Sequence, residues 1–330
     1  MDGVLFVDKK YDIEDLCKRF KDEDKVALAR LITLIENEPD SALEIFQHFD
    51  DIDHESYIIG LTGSPGVGKS TLTGQLVKRL VEKDMKVGVI SVDPTSPFSG
   101  GAFLGDRVRL SEISCHPNVF MRSLASRGYK GGISRAVFDI SLLYEAFGMD
   151  VIIIETVGVG QAEFEIYKLV YTTILILIPG AGDSIQAQKA GIIEIADIYD
   201  INKKDLGGDE VAVQIEMMLD DATATQSGWR PPVIMTNSIR GEGVDDLLER
   251  IWEHKEYIAL SGLLEEKKER RYSYKVQDAI MTKIESILLN NLFNEEELKD
   301  VGSKIINNKF AIHQKIHDIF KTVHFEIKKD

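Results

Sequence analysis

Cysteine is nearly absent. Cys17 and Cys115 are the only two in 330 residues, far apart and outside any C-x-x-C spacing. Neither a disulfide framework nor a thiolate zinc site follows from them. Long apolar runs are missing too: the longest, such as Ile174–Ile178, are strand-sized, far short of the ~20 residues that cross a bilayer. The start, Met1-Asp2-Gly3-Val4, lacks a basic region and a sustained apolar segment, so no secretory leader is expected and the cytoplasm is the default location. Positive charge is in deficit, with 39 Lys and Arg against 55 Asp and Glu, a net charge of −16. Such a surface repels nucleic acid and anionic membranes as general partners. There is no internal repeat and no low-complexity tract.

What is present is the composition of a globular protein, 44% hydrophobic and 28% charged. The length suits about two domains, or one with large additions. The charge falls into three zones. Residues 1–56 carry 7 basic and 16 acidic groups, 57–261 carry 19 and 27, and 262–330 carry 13 and 12.

Within the first zone, residues 13–49 show helical spacing (Leu28, Leu31, Ile32, Ile35, then Ile45, Phe46, Phe49). Two or three amphipathic helices are predicted, with Pro39-Asp40-Ser41 stopping one and Ser41 capping the next. From Tyr57, short aliphatic runs alternate with helix-length stretches. The runs are Tyr57–Leu61, Lys86–Val92, Asn118–Met121, Asp150–Ile154, Thr172–Ile178, Ala196–Ile201 and Pro232–Met235. Unbroken runs of this kind suit strands buried on both faces, hence an α/β fold with a mainly parallel sheet. Helices are predicted over 69–83, 132–147, 208–221 and 243–260. After Gly262 a charged run, Glu265–Arg271, leads into helical spacing through Val276, Ile280, Ile284 and Leu288. A loop near Asn290–Asn294 and a second apolar-periodic segment follow.

The sharpest motif is Gly63-Ser64-Pro65-Gly66-Val67-Gly68-Lys69-Ser70-Thr71, a G-x-x-x-x-G-K-[ST] sequence between a predicted strand and helix. Its glycines let backbone N–H groups turn inward on phosphates, and the helix N-terminus adds positive potential. Lys69 would reach the β- and γ-phosphates, and Ser70 would ligate Mg²⁺. Asn202-Lys203-Lys204-Asp205 fits N-K-x-D after a later strand. Its aspartate can accept from the N1–H and exocyclic amine of guanine, a donor pair adenine lacks. Asn202 can bond the base and brace the pocket, and the Lys203 stem can pack along the ring. Thr236-Asn237-Ser238, after the next strand, stands where a second base-contacting loop belongs, though it matches poorly.

Glu155, closing the run Val151–Ile154, can hold Mg²⁺ through water, or can simply end a buried strand. Asp93 ends another strand, and Asp106, Arg107 and Arg109 follow the Gly-rich Ser99-Gly100-Gly101. These carboxylates can join a metal shell and either arginine can stabilise transferred charge; ordinary loop salt bridges are the alternative. The seven histidines form no ligand set.

Together these segments resemble the MeaB/ArgK family of methylmalonyl-CoA mutase-associated P-loop GTPases, strongly over about 55–260 and more weakly at both ends. Besides Gly63–Thr71, the carriers are Ser91–Pro97, Gly105–Leu110, Glu155–Glu163, Pro179–Gln186, Lys189–Ile192 and Glu194–Asp197, continuing into Asn202–Asp205. Departures are Leu110 where Met is common, the spacer Gln186-Ala187-Gln188, and the blurred Thr236-Asn237-Ser238.

The resemblance implies an N-terminal helical segment (1–56), a P-loop GTPase core (57–261) and a C-terminal helical dimerisation arm (262–330). It implies GTP and GDP as ligands with Mg²⁺, slow turnover raised by a partner, and a homodimer. It also implies a chaperone role in loading and protecting an adenosylcobalamin-dependent acyl-CoA mutase. By the same resemblance, Asp93, Asp106 and Glu155 become metal-side carboxylates, and Asp183 and Lys189 coupling or catalytic candidates. Two alternatives stay open: a nickel-insertion GTPase, and the ATP-dependent kinase or transport ATPase that some relatives have been labelled.

Overall fold

A computed structural model describes residues 12–49, 52–93, 115–125, 136–156, 165–180, 193–221 and 228–291, with the single residues 113 and 303. Tertiary contacts divide the chain into two compact units, Met1–Tyr272 and Ser273–Asp330.

Among its described residues the first unit has seven strands: β1 (Tyr57–Thr62), β2 (Val87–Asp93), β3 (Val119–Ala125), β4 (Val151–Glu155), β5 (Thr172–Leu177), β6 (Ile198–Ile201) and β7 (Val233–Met235). Their order across the sheet is β3-β2-β4-β1-β5-β6-β7, and every pairing is parallel. The expected fold class, an α/β P-loop NTPase with a parallel sheet, is what the chain adopts. All residues of β1, β4, β5 and β6 are buried, which is why these strands read as unbroken aliphatic runs. Among the described residues, β1, β3, β6 and β7 are followed by the helices α4 (Lys69–Val81), α5 (Ala136–Ala146), α6 (Gly208–Asp221) and α7 (Val244–Ser261) respectively. β1 lies centrally between β4 and β5, so the loop leaving its C-terminal end sits over the middle of the sheet.

Ahead of the sheet come α1 (Ile13–Lys21), α2 (Lys25–Asn37) and α3 (Ser41–Phe46). Asp12 caps α1 by accepting from Asp15 N, and Asp24 caps α2 by accepting from Val26 N at 2.7 Å. Ser41 does not cap α3. Asp40 already has helical backbone angles (φ −67°, ψ −20°), so Ser41 lies inside the first turn and its buried hydroxyl has no partner among the described residues. The acidic segment is fastened to the sheet edge. Glu36 pairs with Arg122 of β3 at 2.7 Å, and Lys25 Nζ donates to the Val119 carbonyl at 2.8 Å. Phe20 packs on Phe49 and Phe147.

At the N-terminal ends of the strands a second polar cluster is enclosed. Gly262, in the left-handed region at φ +80°, separates α7 from α8 (Leu263–Asn291). Lys267, in the second turn of α8, donates to the Tyr171 carbonyl just before β5 at 2.8 Å. It also pairs with both oxygens of Asp197, just before β6, at 3.0 Å. His254 of α7 lies 3.3 Å from the same carboxylate and 2.8 Å from Thr172 Oγ1, which meets the Tyr57 hydroxyl at 2.5 Å. Burial alone would raise the Asp197 carboxyl, but Lys267 and the His254 hydrogen bond hold it down to about 2. Burial lowers Lys267, against the pull of Asp197.

Three residues along, Asp200 is treated differently. Tyr199 and Ile201 point into an apolar cluster with Leu175, Leu177, Val211 and Ile215, so strand alternation sends Asp200 to the opposite face. There it is fully buried, with no hydrogen-bond partner among the described residues for either oxygen, and burial pushes it up to about 7.

In the second unit the described residues continue α8. Val276, Ile280, Ile284 and Ile287 are exposed, an apolar stripe at helical spacing. Among the described residues no helix is long and apolar enough to cross a membrane.

Candidate functional site

The loop after β1 is shaped by two close approaches. Gly63 has φ +142° and a Cβ there would meet the Ile176 carbonyl oxygen of β5; Gly68 has φ +102° and a Cβ would meet the Asn202 amide. Only glycine meets both demands, the conformation and the contact. Gly68 stands before α4, which begins at Lys69, so the phosphate loop runs straight into the helix N-terminus, whose free N–H groups favour an anion.

Lys69 is buried, and its ammonium donates to the carbonyls of Gly63 at 2.7 Å and Ser64 at 3.0 Å. These carbonyls belong to the loop that the ammonium would share with a phosphate. One helical position on, the Ser70 hydroxyl donates to Glu155 Oε1 at 2.5 Å. Thr73 donates to Glu155 Oε2 at 2.9 Å. Glu155 is itself buried, at the C-terminal end of β4. Ser70 and Glu155, 85 positions apart in the chain, thus meet through their hydrogen bond. Their donor set is all oxygen, which fits a magnesium-type ion rather than zinc. No group of three or more His, Cys, Asp or Glu among the described residues could hold a metal unaided. A bound ion would therefore complete its coordination with phosphate oxygens and water.

The second half of the site is the turn after β6. Asn202 is buried, and its amide nitrogen donates to the Val67 carbonyl at 2.8 Å and to Ser238 Oγ at 2.9 Å. Its amide oxygen accepts from Lys203 N at 2.9 Å and Ser238 N at 3.0 Å. With those contacts the Asn202 side chain joins the phosphate loop to the loop after β7. Lys203 sits in the left-handed region (φ +57°), and its ammonium donates to the Gly66 carbonyl at 2.9 Å. Asp205 is exposed and accepts from the Asn237 amide at 2.8 Å.

Thr236, Asn237 and Ser238 are buried. Thr236 accepts from Lys204 N through its carbonyl at 3.0 Å, and Asn237 opens a tight turn closed by its pairing with Glu242. Arg79 of α4 binds this turn too, donating to the Gly241 carbonyl at 2.7 Å and to Asp245 at 2.7 Å.

The structure thus brings Gly63–Thr71, Glu155, Asn202, Lys203, Asp205 and Thr236–Ser238 to one end of the sheet. Asp93 belongs there by backbone, as the last residue of β2; its side chain lies outside the described residues, as do Asp106, Arg107, Arg109, Asp183 and Lys189. Sequence reading missed Thr73 as a partner of Glu155, Arg79 as a tie to the last loop, and the Asn237–Asp205 bond.

Comparison with known proteins adds identity to this geometry. Residues 28–294 match the family described as methylmalonyl Co-A mutase-associated GTPase MeaB. A Pyrococcus abyssi protein carrying a provisional GTPase name is 42% identical over 302 residues, covering 89% of this chain and 93% of the relative. The GTPase ArgK of Escherichia coli is 33% identical over 289 residues, covering 85% and 86%. A crystal structure described as an LAO/AO transport system kinase shares the fold, with a TM-score of 0.71 at 23% identity. That match covers 94% of this chain and 96% of the other.

Proposed function

The chain belongs to the MeaB family of methylmalonyl Co-A mutase-associated GTPases, and from that premise we propose how its residues divide the work. GTP lies along Gly63–Thr71, with Lys69 at the β- and γ-phosphates and the loop N–H groups around them. Asp205 reads guanine by accepting from N1–H and the 2-amine. Ser70 and Glu155 would hold Mg²⁺, which would supply neutralisation of phosphate charge. Water attacks the γ-phosphorus, the bond to the β–γ bridging oxygen breaks, and the water proton leaves on the released phosphate. The Ser70 and Thr73 hydroxyls donate to the two Glu155 oxygens and hold the carboxylate in place beside the phosphate loop. Asp93, Asp106, Arg109 and Lys189 complete the machinery of this reading.

The observation that carries the guanine reading is the Asn202 side chain, bonded at once to Val67 of the phosphate loop and to Ser238 of the last loop. It spaces a phosphate cradle and a base-reading carboxylate on one rigid support. Through nucleotide exchange and hydrolysis, the protein assists loading and protection of an adenosylcobalamin-dependent acyl-CoA mutase. The apolar stripe on α8 supports a homodimer formed through that helix.

Calorimetric titration tests the base assignment. GDP should bind at least tenfold more tightly than ADP, and Asp205→Asn should move preference toward xanthosine diphosphate, whose 2-carbonyl accepts from an amide. Equal binding of GDP and ADP would overturn it. Affinity capture with mass spectrometry tests the partner: hydrogenase or urease proteins in place of a cobalamin mutase would favour nickel insertion.

A further inference from the structure

The buried face of α4 is apolar, formed by Leu72, Leu76, Val77 and Leu80, with two polar exceptions, Lys69 and Thr73. Lys69 is accounted for by the phosphate loop. Thr73 is not: it is fully buried, an aliphatic side chain would fill the same space, and a hydroxyl taken from water costs free energy unless it is bonded. The hydroxyl carries one proton and meets two acceptors, Glu155 Oε2 at 2.9 Å and the Lys69 carbonyl at 3.0 Å. A bond to a carboxylate is the stronger of the two kinds, so Glu155 takes the larger share of that proton. The Lys69 carbonyl, one turn back on the same helix, favours the side-chain rotamer that brings the hydroxyl there.

The carboxylate is thereby divided between two donors. Oε1 accepts from Ser70 at 2.5 Å and Oε2 from Thr73. Ser70 and Thr73 stand three positions apart on α4, neighbours along one side of the helix. Held at one oxygen, a carboxylate can swing about that bond; held at both, its plane is fixed against the helix that carries the phosphate loop.

We propose that Thr73 is a positioning residue for the divalent cation: it touches Glu155 rather than the ion, and its hold on Oε2 sets how tightly the nucleotide complex takes Mg²⁺. This role rests on the reading of Ser70 and Glu155 as the metal-side residues. It places an outer support for the metal beyond the G-x-x-x-x-G-K-[ST] sequence, at a position that helical spacing marks only as core.

The test titrates Mn²⁺, a paramagnetic stand-in for Mg²⁺, into the GDP complex and counts the free ion by electron paramagnetic resonance. Calorimetry in EDTA measures GDP binding without metal. Thr73→Val keeps the shape and removes the proton, so it should weaken Mn²⁺ binding about tenfold, the scale for losing an outer partner of a metal ligand. Metal-free GDP binding should stay at the wild-type level. Thr73→Ala, which also cannot donate, should agree with Thr73→Val. Thr73→Ser keeps a hydroxyl and should recover most of the Mn²⁺ affinity. In the Glu155→Ala background, Thr73→Val should cost nothing further.

Unchanged Mn²⁺ affinity in both Thr73→Val and Thr73→Ala would overturn the proposal and leave Thr73 as helix packing. So would an equal loss of GDP binding with and without metal, or a full Thr73→Val loss in the absence of Glu155. The metal-side reading fails differently, by Glu155→Ala leaving Mn²⁺ affinity at the wild-type value. Thermal melts of each variant separate unfolding from altered metal binding.

Discussion

Lys69 and Lys267 are both sheltered lysines, one at the C-terminal ends of the strands and one at their N-terminal ends, and their partners differ in kind. Lys69 donates to two neutral carbonyls of its own loop, bonds that an incoming phosphate can replace at little cost. Lys267 pairs with an ionised aspartate that also meets a histidine and a backbone N–H. The first arrangement is exchangeable and suits a site that must change partners. The second is saturated and suits a joint that must not. One sheet therefore carries its chemistry at one end and its fastening at the other.

The contrast can be broken from either side. Lys69→Ala should slow GTP hydrolysis by about a thousandfold, ~4 kcal/mol in the transition state, while stability shifts by about 1 kcal/mol or less. Single-turnover assays beside urea melts check this; a large drop in stability would show that Lys69 also fastens the fold.

Asp200, between the two ends, has no hydrogen-bond partner for either oxygen among the described residues, and so should register as a cost. Burial pushes its carboxyl up to about 7, above the ordinary aspartate value of about 4. Below about pH 4 both folded and unfolded forms are protonated and nothing is lost. As pH rises from about 4 to 7 the unfolded chain ionises first, and stability falls by up to ~4 kcal/mol. The stability of Asp200→Asn relative to wild type should grow by that amount between about pH 4 and pH 8, measured by denaturant titration.

Lys267→Met should destabilise by about 3 kcal/mol, because it strands the Asp197 charge. Adding Asp197→Asn should recover part of that loss, and turnover per folded molecule should stay at the wild-type level.

The strands are legible in the sequence because parallel strands covered on both faces need no polar alternation. The phosphate loop and Asn202–Asp205 are legible because their contacts are local to a motif. Pro39-Asp40-Ser41 offers two residues able to cap, and backbone geometry uses neither. Lys267 is hidden inside the run Glu265–Arg271, which reads as a solvated face, and its partner lies 70 positions away. The Asn237–Asp205 bond spans 32 positions and rests on a turn closed by Glu242, a register that no spacing rule supplies. Pairings between distant loops are what composition and periodicity leave out.

The grip of Lys267 has a mechanical meaning. It holds the entry points of β5 and β6 at Tyr171 and Asp197, and the covalent helix continues past it. A tension applied to α8 just past Lys267 is therefore delivered into two neighbouring strands. The far end of β6 leads directly into Asn202, so the load path runs from the C-terminal helix to the loop that clamps Val67. A pulling experiment anchored at Arg271 should rupture the Lys267–Asp197 contact before any strand slips.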